Sequence, residues 1–523
     1  MEHSNWRGKC ENLEQAGFIH VLLSHHILAF FYGIFLFLYE LSITQEMISM
    51  IHPVLIIWSG IIVVYDIFVR RIWEKIPYWK ILALFILAVS ITACLTLKAG
   101  IMGNIKTWVL IILPILVVYP ICFCEEDKRQ ENFMISFSGA WILTFFSSLI
   151  SLYMFFVRFE GTIKFLGYEA FAGIYTIEDE GIESYIVLQG LYKDSGHAAT
   201  YAVVSIVFSC IMFLAFRKGM TAKKIWGSIG QVFCFLNILV QFSYFVLANS
   251  RGGWLSFFAG MFASVFMFVL FRRKEDKAGK MQFLKALLAA MFSVCVFGFV
   301  LINARDIMSS MSISIKEQNS EISIPDTGKI SETPNKQTGD HLNDNDDEKE
   351  YSQNEKEPEQ EVQKDSFERP KESGGSIGSG RLALWKEALE LFIHRPIFGD
   401  GSGNYAFYAK KYDVGERLRN GKAIHNSYLD LLVDYGVIGF VLLMGFYILC
   451  VGKVLKRLVN DGKNCEYSFF FAIAGGVVTM SASFFLSCCF VNTTAMYFSN
   501  LLLVSYLVSG SLLTDQGESK AKC

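Results

Sequence analysis

Twelve apolar runs, each long enough to cross a membrane, constrain this chain more than any other feature. They lie at about 19–39, 48–69, 79–98, 105–123, 133–156, 198–216, 225–248, 254–271, 282–302, 429–451, 467–488 and 495–512. A hydrocarbon layer ~30 Å thick needs about 20 residues of helix. Backbone polar groups are satisfied in lipid only by helices or closed barrels, and unbroken runs of this length are helical. The sequence therefore predicts an all-α polytopic membrane protein. It has about twelve transmembrane helices and a large extracytoplasmic loop between the ninth and tenth. Composition agrees: only 18% of residues are charged, against about a quarter in soluble domains.

Orientation follows from the basic residues beside the runs. Arg70, Arg71 and Lys75 follow the second run, and Arg217, Lys218, Lys223 and Lys224 follow the sixth. Arg272, Arg273, Lys274 and Lys277 follow the eighth, and Lys453, Lys456 and Arg457 follow the tenth. All are even-numbered exits, which places both termini in the cytoplasm; Lys98 and Lys106 are a mild exception on the outer side. The first run lacks a small-residue cleavage site and is expected to persist as a helix. The expected domains are a cytoplasmic tail at 1–18, nine helices at 19–302, an outer loop at 303–427, three helices at 428–512 and a tail at 513–523. None of the twelve cysteines falls in the outer segments 157–197 and 303–427, which argues against a disulfide framework. The pairs Cys122/Cys124 and Cys488/Cys489 read as packing, so no metal is expected.

The loop at 303–427 has two parts. Residues 316–372 hold 17 Asp/Glu against 8 Lys/Arg and four prolines, a disorder signature. Residues 373–426 reverse the balance, with 8 Lys/Arg against 5 Asp/Glu. There Leu382, Trp385, Leu389 and Phe392 recur at helical spacing. Ser379-Gly380 opens that helix, Pro396 ends it, and Gly399-Asp400-Gly401-Ser402-Gly403 reads as a tight turn. The helix is expected on the outer face of the bundle with its apolar stripe down.

By the topology count, Arg251, Arg381 and His425 all reach the outer face. Arg251 opens the eighth helix, where leading amides carry partial positive charge, and Gly252 and Gly253 would let a ligand approach. With Ser250 ahead of it, this is either an anion site or an arginine reaching to headgroups. Arg381 repeats the arrangement at the start of the loop helix. A cation there opposes the helix dipole, so it is either a solvated terminal charge or kept for another use. His425, next to Asn426, can accept a proton near neutral pH. Arg417, Arg419 and Lys422 precede it and would attract a polyanionic head. His197 is a second candidate, whereas His20, His25, His26 and His52 read as structural. His341 falls in the acidic tether, and His394 caps its helix. Asp430 and Asp434 share one helical face, and a buried carboxylate needs a partner: an arginine or the histidine. Gly436 and Gly439 read as close packing.

Together these pieces resemble the O-antigen ligase/polymerase superfamily of bacterial membrane proteins. The matching elements are Asn249-Ser250-Arg251-Gly252-Gly253, Gly380-Arg381-Leu382-Ala383-Leu384-Trp385 and Arg395-Pro396-Ile397-Phe398-Gly399-Asp400-Gly401. They continue with His425-Asn426-Ser427-Tyr428-Leu429 and Asp434-Tyr435-Gly436-Val437-Ile438-Gly439. The resemblance is sharpest over 249–440. It implies a membrane glycosyltransferase that moves a glycan from undecaprenyl pyrophosphate to a hydroxyl of a glycan or lipid-linked acceptor. The reaction takes place outside the cytoplasmic membrane, during assembly of O-antigen, capsule or exopolysaccharide, by polymerase or ligase. It further implies pyrophosphate binding by Arg251 and Arg381 and His425 as base, with no metal or other cofactor. Partners would be the lipid bilayer and other envelope polysaccharide assembly proteins, not nucleic acid. Arg158, at the outer end of the fifth helix, would add a phosphate contact. Two departures are the long acidic tether and an acidic stretch at Glu178-Asp179-Glu180, which would suit a different acceptor. Nothing in the chain points to a lipopolysaccharide acceptor, which favours polymerisation. The alternative is a flippase or transporter of lipid-linked oligosaccharide, for which polar groups at mid-membrane are expected.

Overall fold

The structure is a computed structural model that describes residues 21–44, 48, 50–124, 128–179, 182–219, 224–272, 280–321, 381–487 and 494–510. Its helices are α1 (His25–Tyr39), α2 (His52–Tyr65), α3 (Trp79–Leu95), α4 (Ile101–Val117) and α5 (Arg129–Phe156). After a sheet come α6 (Ser195–Arg217), α7 (Lys224–Leu247), α8 (Arg251–Phe271) and α9 (Lys280–Glu321). The outer segment contributes α10 (Arg381–His394) and α11 (Tyr405–Tyr412), followed by α12 (Ser427–Asp461), α13 (Tyr467–Ala482) and α14 (Ala495–Ser509). Among the described residues, eight helices are long and apolar enough to cross a bilayer; α1, α3, α13 and α14 are apolar but shorter. Each predicted run coincides with one of these twelve.

The outward faces show why a bilayer must surround the bundle. On α2, Val54, Ile57, Ile61 and Val64 are exposed at helical spacing, and on α9 Leu284, Leu288, Met291 and Phe292 do the same. Soluble monomers rarely leave such continuous apolar faces to water. This is a multi-pass membrane protein. Inside, neutral polar groups tie α5, α6 and α7 together. Ser148 donates to Gln241 Oε1 (3.0 Å), Gln241 Nε2 to Asn237 Oδ1 (3.1 Å), Asn237 Nδ2 to Ser209 Oγ (3.1 Å) and Trp141 Nε1 to the same hydroxyl (2.8 Å). Hydrogen bonds between helices substitute for the water these groups lack.

Four features depart from the sequence reading. The chain is not all-α: β1 (Glu160–Phe165), β2 (Tyr168–Asp179) and β3 (Ile182–Gly190) form an antiparallel sheet in the order β1-β2-β3. Its first hairpin turns at Leu166-Gly167, both at positive φ, as two-residue hairpin turns demand. Next, α9 continues to Glu321, past the predicted loop start at 303 and into the stretch assigned disorder. The acidic tether beyond it, at 322–372, and Ser379-Gly380 lie outside the described residues. Third, α10 buries Leu384, Ala388 and Leu391, while Leu382 and Leu389 of the predicted stripe are exposed. The helix packs against α11 and α12 and so is rotated relative to the expected stripe.

The fourth departure is a break in α12. Gly436 adopts φ 64°, ψ −170°, a region essentially reserved for glycine. The segment between α10 and α11 inserts at this break. Asp400 N donates to Val433 O (2.9 Å), Gly401 N to Asp434 O (2.8 Å) and Val437 N to Pro396 O (2.8 Å). Thr92 of α3 donates to Phe398 O (2.6 Å), closing the other side of the insertion. A side chain at Gly436 would collide with Ile397 O, and one at Gly399 would lie 2.5 Å from Val433 O. Gly436→Ala is therefore expected to cost about 1–3 kcal/mol, read as a lowered thermal midpoint in detergent. Gly445→Ala, on the same helix with open space around it, should leave the midpoint unchanged.

Candidate active site

Three helix N-termini meet at one end of the bundle, each closed by a side-chain cap of the preferred kind. Asp194 Oδ1 accepts from His197 N at the start of α6 (2.7 Å). Ser250 Oγ accepts from Gly253 N at the start of α8 (3.2 Å). Asn426 Oδ1 accepts from Tyr428 N (3.0 Å) and Leu429 N (3.2 Å) at the start of α12. At Gly196, an added Cβ would lie 3.0 Å from Asp194 Oδ1, 3.4 Å from Leu486 Cδ2 and 3.6 Å from Ser250 Oγ. The turn after α13 is the shared floor. Ser427 N donates to Ser483 O (2.8 Å) and Leu486 O (3.0 Å), while Phe485 packs on Gly252.

Two of the caps follow a residue in the left-handed region, Asn249 (φ 46°) and His425 (φ 54°). Such φ values are uncommon outside glycine, with Asn and His enriched among the exceptions. In each case the chain reverses just before a helix begins. Gly252 and Gly253 have a different use from the one expected. A Cβ at Gly252 would sit 3.1 Å from Phe485 Cβ, and one at Gly253 3.0 Å from Ala199 Cβ. Protein side chains fill that space, so the glycines let α8 pack closely; Arg251 beside them is exposed.

Arg381 reaches the same region because α10 is strapped to the residue preceding His425. Trp385 Nε1 donates to Ile424 O (3.2 Å), one turn after Arg381. Glu387 accepts from Arg417 Nη1 (3.0 Å) and Leu418 N (3.2 Å). Arg417 is thereby engaged within the outer segment, and Arg419 pairs with Asp413. Both cations thus have a pairing role within the outer segment that the sequence did not show.

His425 is half-buried. Burial lowers its pKa from the ordinary 6.5, the Arg381 guanidinium lowers it further and His197 adds to this, while Asp194 opposes. The imidazole is thus neutral at pH 7, the form that accepts a proton. Around it lie groups the sequence reading missed. Buried Glu40, at the end of α1, faces His197 Nδ1 at 3.7 Å. Lys193 N donates to Glu40 O (3.1 Å), and its Nζ lies 3.9 Å from the centre of the Tyr39 ring. Burial pulls the Lys193 pKa down to about 8, opposed by Glu40. Asp194 was legible as an N-cap before the sixth run; Glu40 carried no signal beyond ending the first run.

Other predicted residues stand apart. Asp434 has Ser402, Asp430 and Asp400 as its neighbours, so it joins the inserted segment rather than an arginine or His425. Asp430 sits beside Ser487. Buried Asp400 is paired with Arg395 Nε (3.3 Å), and burial raises its pKa to about 7. Arg158 occupies the junction of α5 and β1 with φ 50°. Cys488/Cys489 lie outside the described residues. Among the described residues no group of three or more His, Cys, Asp or Glu is placed to hold a metal ion.

The family described as O-antigen ligase matches residues 236–444. That stretch contains Arg251, Arg381 and His425, and the O-antigen ligase-like character drawn from the motifs is borne out there. Over 103 residues the chain is 27% identical to the exopolysaccharide production protein ExoQ of Rhizobium meliloti (strain 1021), covering 18% of this chain and 23% of that protein. Over 87 residues it is 30% identical to an uncharacterized protein of Haemophilus influenzae, covering 16% of this chain and 22% of that one. The matched stretch thus spans less than a quarter of either relative.

Diethyl pyrocarbonate, which modifies neutral imidazole, should label His425 with a pH midpoint below 6.5. In Arg381→Gln the midpoint should rise, since one of the influences lowering the pKa is gone; mass spectrometry reads both values.

Proposed function

We propose, from an O-antigen ligase-like stretch that holds all three candidate residues, that this protein is a membrane glycosyltransferase of surface polysaccharide assembly. The donor is a glycan on undecaprenyl pyrophosphate, and the acceptor is a sugar hydroxyl of a growing or lipid-linked glycan. Polymerisation is favoured over ligation, in keeping with a relative named for exopolysaccharide production. The chain crosses the cytoplasmic membrane twelve times, with both termini inside. Arg70, Arg129, Lys218 and Arg457 gather at the end of the bundle opposite His425, which supports placing the site outside.

One observation carries this reading: the bond from Trp385 Nε1 to Ile424 O brings the helix opened by Arg381 up to His425, whose pKa is lowered by burial and further by the Arg381 guanidinium. The group proposed to grip the donor therefore also helps keep the base ready. His425 takes the proton of the acceptor hydroxyl as its oxygen attacks the anomeric carbon. The bond from that carbon to pyrophosphate breaks, and undecaprenyl pyrophosphate leaves with the electron pair. Arg251, Arg381 and the positive ends of α6, α8 and α12 stabilise the growing charge. The proton on His425 then passes to solvent. Attack opposite the leaving group inverts the anomeric centre. Asp194 and His197 orient and tune the imidazole, and Arg158 is assigned an outer phosphate contact.

His425→Ala should lower transfer by about 10²–10⁴-fold, the usual contribution of a positioned base, with normal protein yield. Arg251→Ala and Arg381→Ala should weaken donor use, and all three should leave lipid-linked glycan accumulating outside the membrane. Accumulation on the cytoplasmic side would identify a transporter instead. Unchanged polysaccharide in all three variants would remove the site assignment.

A further inference from the structure

At the end of the bundle opposite His425, a cavity of about 240 Å³ opens between α6, α8 and α13. It is smaller than the ~300–1,000 Å³ typical of sites for drug-sized molecules. Its charged lining consists, among the described residues, of Lys218, Arg272, Lys463 and Glu466. Glu466 is already engaged, with Lys218 Nζ at 2.6 Å and the Ser468 hydroxyl at 3.2 Å. The lining is therefore net cationic.

Two donors on residues that line this cavity lack an acceptor. Arg272 Nη1 and Gln130 Nε2 are buried from solvent and have no hydrogen-bond partner among the described residues. A buried unpaired donor costs about as much as a lost hydrogen bond, more when charged. Both are donor groups, so what they lack is an oxygen acceptor. The guanidinium of Arg272 also lies 3.5 Å from the centre of the Tyr467 ring, which holds it at the cavity. Tyr467 and Ser468 begin the 16-residue α13, whose N-cap Glu466 makes no side-chain capping bond. The positive end of that helix adds to the attraction for an anion.

We infer that this cavity is a second anion site that binds the phosphate of an anionic lipid headgroup. The lipid source is favoured over free phosphate because the cavity lies between helix ends lined by cations and a tyrosine, the composition of a membrane interface. The site is separate from glycan transfer, and its occupant would hold α6, α8 and α13 together by supplying the missing acceptor.

The test is thermal unfolding of the purified full-length protein in detergent, with added phosphatidylglycerol, phosphatidylcholine or inorganic phosphate. Phosphatidylglycerol should raise the midpoint and phosphatidylcholine should not. Arg272→Gln and, at the rim, Lys463→Gln should each weaken the effect at least about fivefold, the loss expected for one charge-assisted hydrogen bond. Lys164→Gln, an exposed charge change in the distant sheet, should retain it. Protection by inorganic phosphate alone, lost in the same two variants, would support the anion site and assign it to the free ion. Equal protection by phosphatidylcholine, no protection by either anion, or protection unchanged in both variants would overturn the inference.

Discussion

The outer segment is held to the bundle by backbone pairing inside a broken helix, and the geometry around His425 depends on that pairing. An intact helix satisfies its own amides and carbonyls and offers a neighbour only side chains. At Gly436 the α12 ladder opens, and the loop from Pro396 to Gly401 takes up the released groups: Val433 O, Asp434 O and Val437 N. Arg395 stiffens that loop, with its Nε donating to Gly399 O at 2.9 Å and facing Asp400. Irregular backbone at the edge of a membrane is tolerated where protein supplies partners. Because α10 leads directly into this loop, its far end is carried over the start of α12. The Trp385 to Ile424 bond then sets Arg381 beside His425.

Placing cations at helix N-termini runs against the dipole. Arg251 and Arg381 both stand at such ends, and each raises the local positive potential that the free amides already create. Left alone, this arrangement slightly destabilises both helices. An anion with several oxygens reverses the sign of every one of these terms. The same field acts on His425, whose protonated form would add one more positive charge to the cluster. Asp194 and Glu40 offset this only in part, through His425 and His197 respectively. This charge pattern supports the proposed polyanionic donor, and the lowered pKa of His425 reflects burial first and the Arg381 guanidinium second.

Much of the helical architecture was legible because lipid makes a strict demand: a run of about 20 apolar residues has one regular solution. The caps were legible too, since Ser250 and Asn426 are of the types that satisfy leading amides. What escaped notice was set by tertiary packing. The three-stranded sheet lies between two long helices in a stretch with no long apolar run, and its Leu166-Gly167 turn lacks the usual Asn-Gly signal. The buried stripe of α10 was misplaced because Leu382 and Leu389 fit the helical period as well as Leu384 and Leu391 do. Gly436 was read as a packing glycine, since nothing in the sequence distinguishes close approach from a break. Glu40 and Lys193 reach the site from α1 and from the turn before α6, separated by a span no local pattern bridges.

The two ends of the bundle handle positive charge in opposite ways, and that contrast bears on function. At the end away from His425, Lys218 and Arg272 are the C-caps of α6 and α8, where a cation is favoured by the dipole. Arg129 donates to Ser509 O and Gly510 O, finishing α14 in the same manner. These charges sit at helix C-termini, where they contribute to the fold with or without a ligand. At the other end Arg251 and Arg381 meet helix starts, where a cation opposes the dipole, and at α8 Ser250 already caps the Gly253 amide. Cations that stand against the dipoles of their own helices, brought from distant parts of the chain to the neighbourhood of His425, favour the proposed reaction with a polyanionic substrate.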